Sequence, residues 1–256
     1  MSIRRAVAAP CFADDPADLV RLAVEAEEAG FDGFFLWDHM TWANDGLGPS
    51  IVDPWAVLSV IAARTQRLVI GPMIMGGPAH GDFELFGDQA DDRTRAAMLD
   101  EGLELMAGLW SGEVTEFHGQ HYNVGPVRFT PTPAQGGRIP VWVGGVLPSQ
   151  AGMRRAARWD GAVPIRYRDG ALVRPTADDI ASVRDLVREG RGSTAGFDLV
   201  VWAEVADAPS ALAEELPAYE EAGTTWWIET ARPPQPDWYE QLHRRIRSGA
   251  VGDSRT

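Results

Sequence analysis

A chain of 256 residues, 45% hydrophobic and 23% charged, can bury one large core, and a single domain over 1–256 is expected. A formal net charge of −14 argues against a nucleic-acid partner, which draws on clustered positive charge, and a basic complement made wholly of Arg excludes Schiff-base and P-loop lysines. No apolar run reaches the ~18 residues of a membrane span, no signal-peptide pattern opens the chain, and lone Cys11 cannot form an internal disulfide, so a reducing cytoplasm is expected.

The chain then alternates short β-branched or aromatic runs with longer segments of helical spacing, which is the pattern of βα repeats and a parallel sheet. Arg4 to Pro10 is the first strand, and a helix from Pro16 to Gly30 follows, capped by Asp14 or Asp15. Gly33 to Trp37 is the second strand, and Asp53-Pro54 repeats the helix-start signal. Leu68 to Met75 is the third. A helix over Phe83 to Trp110 comes next, then a hairpin over Gly112 to Val127. Pro140 to Gly144, Gly161 to Ile165, Phe197 to Glu204 and Thr225 to Glu229 complete seven strands. Their helices run from Ser149 to Trp159, Thr176 to Glu189, Pro209 to Ala222 and Asp237 to Ser248.

In parallel α/β proteins ligands gather where the strands end. Trp37-Asp38-His39-Met40-Thr41-Trp42 leaves the second strand there. A carboxylate beside an imidazole can fix its tautomer or raise its pKa, so His39 reads either as a proton donor or acceptor or as a loop histidine bonded to backbone. Gly144-Gly145, ahead of a helix start at Ser149, reads as an anion site of free amides or as an ordinary turn. Arg154 and Arg155 on that helix either reinforce such a site or face solvent. The loop Gly76-Gly77-Pro78-Ala79-His80 would allow close approach of a planar ligand, or serve only as a connection. Trp226 and Trp227 should point to opposite faces of the last strand. His118, His121 and His243 suit no metal site by spacing, and no Gly-x-Ser-x-Gly elbow marks a hydrolase.

In order and spacing, Glu25-Ala-Glu-Glu-Ala-Gly-Phe-Asp-Gly-Phe-Phe-Leu-Trp-Asp-His39, Asp53-Pro-Trp, Leu68-Val-Ile-Gly-Pro72 and Met98-Leu-Asp-Glu-Gly-Leu resemble the luciferase-like flavin- or F420-dependent oxidoreductases. Phe117-His-Gly-Gln-His-Tyr122, Ile139-Pro-Val-Trp-Val-Gly-Gly145 and Arg154-Arg-Ala-Ala-Arg-Trp-Asp-Gly161 extend the likeness over nearly the whole chain. The resemblance implies a (β/α) barrel of the TIM type, FMN or F420 at the strand C-termini, a small-molecule substrate and a homodimer. It places His39, with Asp38, near the ring and Trp42 near the substrate. Gly71, Pro72 and Met73 would press on the ring, with Gly76 and Gly77 beyond them, and Val143, Gly144 and Gly145 would meet the cofactor phosphate. The Asp-His form looks more like the F420 users.

The sequence departs from that family at one place. Met73-Ile74-Met75 runs straight into Gly76-Gly77-Pro78, where the family has a further helix and strand, so about thirty residues are missing, close to one-eighth of a ~250-residue barrel. Seven strands must then close tightly or leave two open edges. A second reading follows from this gap, a degenerate barrel that binds a ligand or partner without catalysis.

Overall fold

A computed structural model describes residues 2–41, 48–73, 83–205, 209–231 and 236–250. The chain forms two compact units, Met1–Pro78 with Trp142–Thr256, and Ala79–Val141. In chain order the elements are β1 (Arg4–Ala9), α1 (Pro16–Glu28), β2 (Gly33–Trp37), α2 (Pro54–Arg64), β3 (Val69–Met73) and α3 (Asp92–Trp110). β4 (Thr115–His118), β5 (Asn123–Val127), β6 (Trp142–Leu147), α4 (Ala151–Ala156), β7 (Gly161–Arg168) and β8 (Ala171–Val173) follow. The last are α5 (Ala177–Arg191), β9 (Asp198–Glu204), α6 (Pro209–Ala222), β10 (Trp226–Thr230) and α7 (Trp238–Arg247).

The larger unit is a curled sheet of seven parallel strands in the order β3-β2-β1-β10-β9-β7-β6, the number that the sequence predicts. Helix starts follow the local chemistry: the Asp15 carboxylate accepts the Ala17 N–H ahead of Pro16, and Asp53 accepts the Ala56 N–H ahead of Pro54. Each central strand is apolar on both faces because each face meets its own layer. Val7, Ala9, Phe34 and Leu36 pack with Leu19 and Leu22 of α1, Ile61 of α2 and Ile246 of α7. The alternate residues Ala6, Ala8, Phe35 and Trp37 turn inward with Met73, Val163, Val200, Trp202, Trp226 and Ile228. Trp226 faces the interior, while Trp227 packs edge-on against Tyr219 of α6 with ring centres 5.0 Å apart.

Between the sheet and α7 lies a buried ion cluster. Arg245 grips Glu229 through Nε and Nη2 at 2.6 and 2.7 Å, and Arg5 reaches the same carboxylate from β1. All three side chains are buried. Burial pulls the Arg5 pKa below its ordinary value, and Glu229 opposes that pull.

β3 and β6 stand at the two ends of the sheet. They are also the strands that flank the missing stretch in the sequence, and among the described residues neither has a further partner strand, so the gap leaves two edges there. At the β3 edge, Val69 N–H bonds to Asp32 and the Met73 carbonyl accepts from Asp38, both toward β2. Pro72, between them in alternation, therefore directs its missing N–H to the open side, a position that blunts strand addition.

Several elements differ from expectation, among them β7, which runs on to Arg168 rather than ending at Ile165. β6 runs through the glycine pair to Leu147, and α4 is correspondingly shorter, with no side-chain bond at its Gln150 N-cap. α3 begins at Asp92 rather than Phe83, because Gly87 turns the chain at φ 73° and the Asp91 carboxylate caps Thr94. β8, an antiparallel partner of β7, has no counterpart in the expected elements.

In the smaller unit, β4 and β5 form the predicted hairpin. The Glu101 carboxylate of α3 accepts the N–H groups of Gln120, His121 and Tyr122 at the hairpin turn, and these bonds hold its pKa down.

Candidate active site at the strand C-termini

The interior of the larger unit has an aromatic floor. Phe35 of β2, Trp142 of β6 and Trp226 of β10 lie with ring centres 5.4, 5.5 and 5.9 Å apart. This cluster joins β2 to β6 across the interior, although the two strands are far apart in the sheet order. The strands are parallel, so moving toward their C-termini from that contact leads to Trp37 and His39 on one side and to Gly144 on the other. A two-residue step rises about 7 Å. The imidazole and the first glycine therefore share an inner face above a common floor.

His39 is half-buried. Its ring centre lies 6.0 Å from Phe12 and 6.0 Å from Trp37, and Trp37 in turn lies 6.1 Å from Trp202 of β9. Phe12 is fixed because the segment after β1 is clipped to the start of α2: Phe12 bridges Ile51, and Val52 donates to the Cys11 carbonyl at 2.9 Å. Asp38 donates its N–H to the Met73 carbonyl at 3.3 Å, which extends the β2–β3 ladder to the residue before His39. The result is an imidazole on a rigid strand end with apolar rings on two sides.

Met73 is buried in the inner cluster, and a Cβ on Gly71 would meet only the Phe35 ring, at 3.8 Å. Strand alternation turns Pro72 to the helix side. Trp42, Gly76 and Gly77 lie outside the described residues, as does His80. Val143 is buried, on the opposite face to Trp142 and Gly144, so only its backbone can face the interior.

The glycine pair divides by role. Gly144 is exposed, and a Cβ there would make ordinary contact with Ile165 at 3.6 Å. Gly145 faces α4, where an added Cβ would lie 2.9 Å from the Gly152 Cα; the reverse test puts a Gly152 Cβ 2.6 Å from the Gly145 Cα. α4 thus rests directly on the β6 backbone, an approach that only glycines permit. Arg154 of α4 bonds the Gln150 side chain at 2.8 Å and is exposed.

Two of the other histidines are held locally. His118 lies between Asn123 and Glu116, whose hydrogen bonds raise its pKa, and His243 pairs with Glu25 at 2.7 Å. Among the described residues no group of three His, Cys, Asp or Glu side chains could hold a metal ion, and no helix is long and apolar enough to cross a membrane. Sequence reasoning did not single out Phe12 or Trp202. It also missed the β7–β8 hairpin, although Asp169-Gly170 between two alternating runs is a readable hairpin signal.

The profile of luciferase-like monooxygenases matches residues 3–81 and 76–248, two stretches that meet where the sequence lacks an αβ unit. The F420-dependent glucose-6-phosphate dehydrogenase of Nakamurella multipartita is 28% identical, over 61% of this chain and 56% of its own length. That of Microbacterium testaceum is 27% identical, over 52% and 48%. The chain spans about half the length of these curated relatives. Among solved structures, an F420-dependent secondary alcohol dehydrogenase bound to an F420-acetone adduct superposes with a TM-score of 0.69, at 15% identity, over 97% of this chain and 99% of its own. The F420-dependent tetrahydromethanopterin reductase of Methanopyrus kandleri gives 0.67, at 14%, over 96% and 98%.

Proposed function

Since the chain belongs to the luciferase-like monooxygenase family, we propose that it is an oxidoreductase that binds F420 or FMN in the mouth of its open barrel and acts on a small organic substrate. The observation that carries this reading is the placement of His39, half-buried beside Phe12 and Trp37, on the same inner face as exposed Gly144. The residues fit such a cofactor: apolar rings and Met73 offer a flat surface for a planar ring, and the Gly144 backbone is accessible to a phosphate. The Asp38-His39 form and the names of the curated relatives favour F420.

When bound, the deazaflavin or flavin would take a hydride from the substrate or return one to it, or in the flavin case supply the electrons that activate oxygen. The protein's part is to bind, orient and exclude water. The His39 imidazole holds or passes a proton at the substrate oxygen, with Asp38 beside it. Phe12, Trp37 and Trp202 keep that proton transfer out of bulk water. Met73, with Gly71 and Pro72 behind it, supports the ring; Gly76 and Gly77 follow in the chain and Trp42 lies toward the substrate. The backbone around exposed Gly144 would hold the phosphate, with Val143 and Gly145 fixing that stretch of β6 on either side. The open β6 edge also supports the expected homodimer.

Fluorescence titration of the purified protein with F420 and with FMN tests this. Saturable change with either at tens of micromolar supports the reading, and none with both overturns it. The second reading, a non-catalytic binding protein, draws on the two open edges of the sheet. Turnover with F420 that His39→Ala abolishes would dismiss it.

A further inference from the structure

β7 outruns the strands beside it. Its ladder with β6 continues to Leu147 opposite Arg166, but its ladder with β9 covers only Gly161 opposite Asp198 and Ala162 opposite Leu199. β8 pairs with Arg166, Tyr167 and Arg168. Because β6 still occupies one edge of β7 at Arg166, β8 must take the other, the edge that β9 leaves after Ala162. The hairpin therefore fills a split in the sheet at the strand C-termini. Its turn is tight, with Asp169 and Gly170 at φ 52° and 78°, the left-handed pair of a two-residue hairpin.

The two faces of this hairpin differ. On the outer face, Arg166 forms an ion pair with Asp179 of α5, and just past β8 Arg174 pairs with Glu215 of α6. These anchor the hairpin to the helix layer. On the inner face, alternation from buried Val163 turns Ile165 and Tyr167 toward the interior. Leu172, directly opposite Tyr167, packs on the inner cluster. Tyr167 itself stays 38% exposed, and no described residue hydrogen-bonds its hydroxyl. Tyr219 and Tyr239 in the same unit behave differently, since Tyr219 donates to the Pro175 carbonyl at 2.8 Å and Tyr239 accepts from Arg21 at 3.4 Å.

We infer that the β7–β8 hairpin forms one wall of the ligand mouth and that the Tyr167 phenol is a cofactor-binding group. The inference rests on the functional reading above and extends it. Tyr167 lies one residue beyond the last β6–β7 pair, on the neighbour of the strand that carries Gly144 and Gly145. It therefore meets the phosphate-bearing side of the cofactor, to which it donates a hydrogen bond. The wall is held because both of its ends are tied by ion pairs, and the hydroxyl is available because no described residue uses it.

The test is a titration of wild type and Tyr167→Phe with F420 and with FMN, with thermal unfolding of each protein in the absence of ligand. The expected result is a Kd about 3- to 10-fold weaker in the variant for the cofactor that wild type binds, the loss of one hydrogen bond, with an unchanged Tm. Equal Kd values in the two proteins overturn the inference and leave the functional reading standing. A lowered Tm with equal Kd overturns it too and makes the phenol structural. Failure of wild type to bind either cofactor overturns both.

Discussion

Replacing Glu229 with Gln would remove the carboxylate that both buried guanidinium groups, Arg5 and Arg245, grip. Glu229, Arg245 and Arg5 are only 1%, 4% and 5% exposed, so solvent cannot take over the role of the lost charge. Arg245 also donates to the Gly249 carbonyl at 2.7 Å and to Ser248 at 3.1 Å, which keeps it in place after the substitution. Breaking a buried pair from one side costs about 3–5 kcal/mol. A chain of this size loses about 2–4 °C per kcal/mol, so the melting temperature should fall by on the order of 10 °C. Urea unfolding followed by tryptophan fluorescence would report the loss as a lower midpoint with an unchanged slope. The combined Arg5→Met, Glu229→Leu, Arg245→Met variant should lose less than Glu229→Gln, because no charge is then left unmatched. The reasoning is refuted if Glu229→Gln costs under about 1 kcal/mol, below the range for a broken buried pair, or if the triple variant is the less stable.

Gly152→Ala would drive a methyl group into the Gly145 and Gly144 backbone at 2.6 and 3.0 Å, so it should cost about 1–3 kcal/mol and weaken F420 binding by shifting β6; calorimetry and titration check the two effects. Pro72→Val restores an N–H at the open edge of β3, and the variant should self-associate at concentrations where wild type keeps its native mass by light scattering. In Glu116→Gln the His118 pKa, raised by Glu116 and Asn123, should return toward its ordinary value of about 6.5 in an NMR titration. A raised histidine pKa contributes stability that is fully present below the unfolded pKa and lost as pH rises through the folded one. The β4–β5 hairpin should therefore tighten on acidification through that window in wild type and less so in the variant.

The seven parallel strands were readable because each is a short apolar run between turn signals, and the Asp-Pro starts of α1 and α2 are local chemistry. The missing αβ unit was visible as a collision of two motifs at residues 73–78, and the sheet order turns it into two edges at β3 and β6. Less legible was anything set by contacts distant in sequence. That Gly145 serves α4 packing while Gly144 faces the interior depends on Gly152 and Met153, and two adjacent glycines carry no side-chain pattern to separate them. Phe12 reaches His39 only because Ile51 and Val52 clip its segment down. Apolar spacing from Phe83 onward continues across the turn at Gly87, so the sequence alone carries α3 back beyond its start at Asp92.

Hydrogen exchange with and without saturating F420 addresses the claim on which the functional account depends, that the segment at His39 and the glycine segment of β6 meet one ligand. Slowed exchange is predicted in peptides covering residues 37–40 and 143–147 together, with both reduced in Gly152→Ala at the same F420 concentration. Protection of one segment without the other, or of neither, would contradict it.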